Sequence, residues 1–143
     1  MSRVTRRPSR EPSAYEAVTR GVLVRVAPEY LPGQSEPLEG RYVWAYTIEI
    51  ENRGDLTVQL ISRRWLITDA LNRTEEVAGP GVVGEQPRLQ PGQAFCYTSG
   101  CPLPTPSGEM RGTYQMLTDG GESFDVEIPA FSLHRPEALR VVN

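Results

Sequence analysis

Apolar residues along this chain recur at every second position, and no stretch builds a convincing helix. Tyr42, Trp44, Tyr46, Ile48 and Ile50 alternate with Val43, Ala45, Thr47, Glu49 and Glu51, the period of a strand with one face on a core. Val18, Arg20, Val22, Val24 and Val26 share a phase, with Thr19, Gly21, Leu23 and Arg25 in the other, and predict one continuous strand. A loop rich in breakers follows from Pro28 to Gly40. Further strands are expected at Glu75–Ala78, Ala94–Ser99, Met110–Leu117 and Ser123–Ile128. Turns fall at Asn52–Asp55 and Ala70–Arg73, and a proline-rich loop at Pro102–Gly108. Asp119-Gly120-Gly121 signals a hairpin. In the last strand Phe124, Val126 and Ile128 point inward, Pro129 interrupts, and Phe131-Ser132-Leu133 resumes at an edge.

One segment breaks its own period. Leu56, Val58 and Leu60 occupy even positions, but Trp65 and Ile67 occupy odd ones. Strand side chains alternate strictly, so an extra residue is required near Ser62-Arg63-Arg64, as a bulge or a bend between sheets. Seven or so short strands and no helix predict an all-β fold, an antiparallel β-sandwich of immunoglobulin or fibronectin type III architecture. The domain is expected over residues 15–135, between a disordered basic tail at 1–14 and a C-terminal tail at 136–143.

Composition agrees. Gly and Pro number 13 each in 143 residues, above the usual share, and favour turns and short strands. The net charge of -3 implies no general affinity for nucleic acid. All 15 basic residues are Arg, the better bidentate partner for carboxylate or phosphate, although codon bias in a GC-rich genome explains this as well. Met1–Ser13 has arginines but no apolar core of a secretory signal. No run approaches 18 apolar residues, so no membrane insertion is expected. Cys96 and Cys101 are read as free thiols: on one extended strand they stand about 16 Å apart, too far for a disulfide without a tight turn.

Gly79-Pro80-Gly81-Val82-Val83-Gly84 spells G-x-G-x-x-G, the dinucleotide-binding fingerprint. A working fingerprint opens a helix whose N-terminus meets the pyrophosphate. Pro87 and Pro91 forbid that helix, and the expected acidic residue about 20 positions on is missing. A Gly/Pro loop between strands is the simpler account. The loop still offers backbone amides, so Gly79, Gly81 and Gly84 with Arg63, Arg64 and Arg88 form a candidate anion site. Asp69, Glu75, Glu76 and Glu85 are oxygen donors for a cation but match no metal loop. Ser99, Cys96 and Cys101 are possible nucleophiles, yet the single histidine, His134, lies far along the chain and no G-x-S-x-G exists.

The assembled segments resemble the ApaG family. The likeness lies in Val58–Arg63, Trp65–Ala70, Gly81–Pro87, Leu89–Gly92, Tyr97–Gly100, Thr105–Gly108, Met110–Tyr114 and Phe124–Phe131, in order, across about Tyr15 to His134. Arg64 stands where the family pattern often has His, so no ligand role is carried onto that position. The resemblance implies a fibronectin type III-like sandwich and an association with cobalt and magnesium efflux, under the alternative name CorD. Similar domains in larger eukaryotic chains, F-box proteins among them, suggest protein binding. The expected function is a cytoplasmic, non-enzymatic binding or regulatory module with an indirect role in cobalt and magnesium homeostasis. It has an unidentified protein partner, no cofactor and no nucleic acid. The alternative is a nucleotide- or pyrophosphate-binding protein using Gly79–Gly84.

Overall fold

The computed structural model describes residues 3–5 and 15–136. Its strands are β1 (Arg3–Thr5), β2 (Tyr15–Thr19), β3 (Val22–Tyr30), β4 (Tyr42–Asn52), β5 (Val58–Asp69), β6 (Thr74–Pro80), β7 (Arg88–Leu89), β8 (Ala94–Leu103), β9 (Ser107–Thr118) and β10 (Ser123–His134). One sheet runs β1-β8-β4-β3-β2, and the other β10-β9-β5-β6 with β7 also on β5. Every pairing is antiparallel. The expected sandwich is the observed fold.

Three expectations change. The single strand across 18–26 is a hairpin, folded at Arg20-Gly21 with φ of 49° and 83°. Two consecutive positive φ values match the right-handed twist of the strands that leave the turn. Arginine is an uncommon residue there, and the turn inverts the phase: Val18 is exposed while Val22, Val24 and Val26 are buried. Its side chain lies 4.4 Å above the Phe124 ring and pairs with Glu122 at 3.0 Å. The basic tail expected at 1–14 does not hold at Arg3–Thr5, whose backbone pairs with Ala94–Cys96; the rest of 1–14 and residues 137–143 lie outside the described residues. The loop expected at Pro102–Gly108 shrinks, because β8 runs to Leu103 and β9 starts at Ser107.

The register shift of β5 falls between Leu60 and Ser62, where Ile61 is the extra residue. Val58 and Leu60 face the core before it, and Trp65 after it. β10 shifts between Ile128 and Phe131, so Val126 and Ile128 are buried on one phase and Phe131 and Leu133 on the other. The two shifts bring Trp65 and Phe131 into an edge-on contact at 5.9 Å, with Tyr46 5.4 Å from Trp65. Aromatic pairs of this geometry add about 0.5–1.5 kcal/mol beyond the area they bury.

Between the sheets, the Tyr97 and Tyr114 hydroxyls share a hydrogen bond of 2.6 Å. Burial pushes both phenols upward, Tyr114 well above the usual tyrosine range. Removing one hydroxyl strands the other in an apolar interior, at a cost of about 1–3 kcal/mol, whereas removing both is nearly neutral. A double-mutant cycle on Tyr97→Phe and Tyr114→Phe, followed by urea unfolding, is expected to show single losses that do not add. Gly112 carries a separate constraint: a Cβ there would overlap the Arg64 carbonyl across the β5–β9 pairing. Gly112→Ala is expected to cost about 3 kcal/mol or more through backbone displacement, read as a drop in Tm of about 10 °C.

Candidate functional site

The Gly/Pro segment closes on itself. β6 ends at Pro80, and Val82 and Glu85 exchange backbone hydrogen bonds of 2.8 Å each. Val83 and Gly84 between them have φ of 43° and 81°, so 82–85 forms a tight two-residue turn. Val82 is fully buried. Gly81, at φ 62°, is required because a Cβ would strike the Glu85 carbonyl. The carbonyl of Ile61, the extra residue of β5, accepts from Gly81 N–H and Gln86 Nε2 at 2.9 Å each. The amides of Gly81, Val82 and Glu85 are thus spent inside the protein, where a phosphate cradle needs them aimed outward.

The structure divides the three candidate arginines. Arg63 points inward. Its Nη1 donates to the carbonyls of Pro80 (3.0 Å) and Gly81 (2.9 Å), and the guanidinium lies flat over Gly79. Arg64, next along the strand, takes the opposite face and pairs with Glu76 at 2.7 Å. Arg88 on β7 pairs with Asp119 at 2.6 Å. Only Arg63 stays with the glycines, and it serves their carbonyls.

The oxygen donors are dispersed too. Asp69 Oδ1 accepts the Leu71 and Arg73 amides at 2.9 and 3.0 Å, and Oδ2 pairs with Arg73 at 2.9 Å. The Arg73 amide above all holds this carboxyl below the usual range. Among the described residues no three His, Cys, Asp or Glu side chains cluster as a metal site. Ser99 faces inward toward the Tyr46 hydroxyl. Cys96 and Cys101 lie five residues apart on one strand and so on opposite faces, Cys96 exposed and Cys101 buried. No hydrogen bond among the described residues joins the His134 ring to any of these three.

What the sequence did not disclose is a concavity of about 770 Å³ at one end of the sandwich, lined by Pro28, Tyr30, Pro32, Pro37, Trp44 and His134. Pro32 and Pro37 each open a single turn of 3-10 helix, where the fixed φ of proline suits the first position. The Trp44 indole donates to the His134 carbonyl at 3.0 Å and packs edge-on to Tyr30 at 5.3 Å. Its volume and apolar lining are those of a ligand or anchor pocket. The visible signal was one tyrosine and three prolines (Pro28, Tyr30, Pro32 and Pro37) in one breaker-rich stretch. They could not be joined to His134 without the fold.

The ApaG domain model matches residues 32–118. Protein ApaG from Caulobacter vibrioides is 59% identical over 138 residues, covering 96% of this chain and 99% of that protein. Protein ApaG from Rhodospirillum centenum is 62% identical over 122 residues, covering 85% and 94%. The crystal structure of an ApaA protein from Bordetella pertussis superimposes with a TM-score of 0.79 at 49% identity, covering 89% of this chain and all of that one.

The thiol environments give a direct check. Burial pushes the Cys101 thiol up to about 11 from 9.0, with the Glu75 carboxylate adding to the rise. A thiol with a raised folded-state value costs nothing while both states hold the proton. The unfolded chain releases it first, so this group withdraws stability as pH climbs from 9 toward 11. Iodoacetamide at pH 8 is expected to modify Cys96 in the folded protein and Cys101 only after denaturant, as read by peptide mass. Equal rates at both positions would contradict the burial described.

Proposed function

Because the chain belongs to the ApaG family, we propose that it is a non-enzymatic binding or regulatory module of that type, acting in the cytoplasm and linked indirectly to cobalt and magnesium homeostasis. The observation that carries this reading is the preformed pocket built from prolines, Tyr30 and Trp44. The cation link comes from the family resemblance alone. Its indirect character has physical support. No helix among the described residues is long and apolar enough to cross a membrane. The outer face of the first sheet carries Arg25 between Glu16 (2.9 Å) and Glu49 (3.2 Å), charges that a lipid-facing strand surface does not tolerate cheaply. The proposed role is therefore to bind or regulate a separate transporter.

Deleting the gene is expected to change cellular tolerance to Co²⁺ or Mg²⁺, while the purified protein in liposomes moves neither ion. Transport by the reconstituted protein would defeat the reading; unchanged tolerance would remove the cation link and leave the binding role.

The alternative, a nucleotide or pyrophosphate site at Gly79–Gly84, retains Arg63 alone of its three candidate arginines at the loop. Titration with ATP and NAD to millimolar concentration is expected to leave the Gly81 and Gly84 amide resonances in place. Saturable shifts confined to those amides would instead favour the alternative.

A further inference from the structure

The two open sides of this sandwich are not alike. On one, β10 is stitched to β2: the Glu127 amide donates to the Thr19 hydroxyl at 3.1 Å, and the Ser132 amide reaches the Tyr15 hydroxyl at 3.4 Å. On the other, β8 forms the flank of its sheet and carries β1 along only Ala94–Cys96. The register shows which groups that flank presents. Leu31 N–H donates to Val43 C=O at 2.8 Å, and Val43 N–H donates to the Ser35 hydroxyl at 2.9 Å, so Val43 turns away from β8. Its partner across the ladder, Pro102, therefore turns its backbone outward, as do Gly100 and Thr98 two and four residues before it. Asn52 N–H donating to Gln93 C=O at 2.9 Å fixes the same parity at the other end. Pro102 thus has no ladder donor to lose. The amides of Thr98 and Gly100 and the carbonyls of Thr98, Gly100 and Pro102 line the flank beyond β1, and among the described residues no strand pairs there.

We propose that this flank, Thr98–Pro102, is where the module captures its partner, by adding an extended segment that carries a basic side chain opposite Cys101. The inference rests on the protein-binding reading above and names its site. A strand added at this flank, in line with the chain's own Arg3–Thr5, bonds to Thr98, Gly100 and Pro102 and turns the residue opposite Cys101 to the inner face. There, at the Pro102–Leu103 end, a groove of about 230 Å³ opens between the sheets, and Glu75 of β6 lines it. Glu75 makes no ion pair with any described residue, unlike Glu76 beside it, which holds Arg64. The Asp69 carboxylate in the same groove is already matched by Arg73. At the Pro102–Leu103 end of the flank the unmatched charge is therefore negative, and it selects a lysine or arginine opposite Cys101.

The test uses the full chain and phage-displayed random 12-residue peptides. Enriched peptides are expected to carry Lys or Arg at a fixed position among β-branched residues. A synthetic copy of the best one is expected to slow amide exchange at Thr98 and Gly100. Gly100→Pro removes an outward donor, and a Cβ at Gly100 approaches only the Trp44 carbonyl, at 3.6 Å. It is expected to weaken the peptide at least tenfold. Should that variant unfold, Glu75→Lys supplies the second arm: it weakens the same peptide about tenfold, and changing the peptide's basic residue to Glu restores binding. Peptides that protect the Tyr30–Trp44 pocket instead and ignore both substitutions would overturn the flank while sparing the binding role. A protein that enriches no peptide from the library overturns the flank, and failure to capture any native partner as well would remove the binding role.

Discussion

Strand side chains alternate without exception until a residue is inserted, and each insertion inverts everything after it. The core of this protein depends on two such inversions. Without Ile61 as an extra residue, Trp65 would face solvent, and without the shift between Ile128 and Phe131 so would Phe131 and Leu133. The ring contacts of Tyr46, Trp65 and Phe131 exist because both strands change phase. The Ile61 shift does more than aim side chains. A bulge leaves a backbone group outside the ladder, and here the freed Ile61 carbonyl receives Gly81 and Gln86. The Gly/Pro segment is thereby tied to the middle of the second sheet, and its glycines answer that packing.

This explains what could be read in the residues and what could not. The 42–51 alternation, the Asp119–Gly121 hairpin and the interruption at Pro129 are local chemistry, and each stands where periodicity put it. The β5 phase change was visible as a conflict between Leu60 and Trp65, one residue away from Ile61. The Arg20-Gly21 turn was hidden, because Val18, exposed on the outer face, extends the even-numbered series of Val22, Val24 and Val26 that lies inward, and arginine is not a turn residue by preference. The clustering of Arg63, Arg64 and Arg88 by sequence proximity failed for an equally simple reason. Neighbours on a strand face opposite sides, so Arg63 and Arg64 cannot both reach one loop. The Trp44–His134 contact spans 90 residues, and no period reports a distance of that kind.

Polar satisfaction sorts the molecule's surfaces into finished and unfinished ones. The interior is finished: no described buried side-chain nitrogen or oxygen lacks a hydrogen-bond partner. The β2–β10 side is finished as well, through hydroxyls of Thr19 and Tyr15 that meet β10 amides. Edges of sheets are normally blunted in this way or by proline and charge. β6 follows that pattern with Glu75, Glu76 and Pro80. The β8 flank has Pro102 as its single blunting residue, at a position where proline forfeits no bond to β4. A proline there limits pairing beyond Leu103 yet leaves the Thr98 and Gly100 amides available, which restricts the register in which any strand can be added. That restriction separates this flank from an aggregation-prone edge: it has few donors, a limited register, and a charged residue of the opposite sheet beneath it.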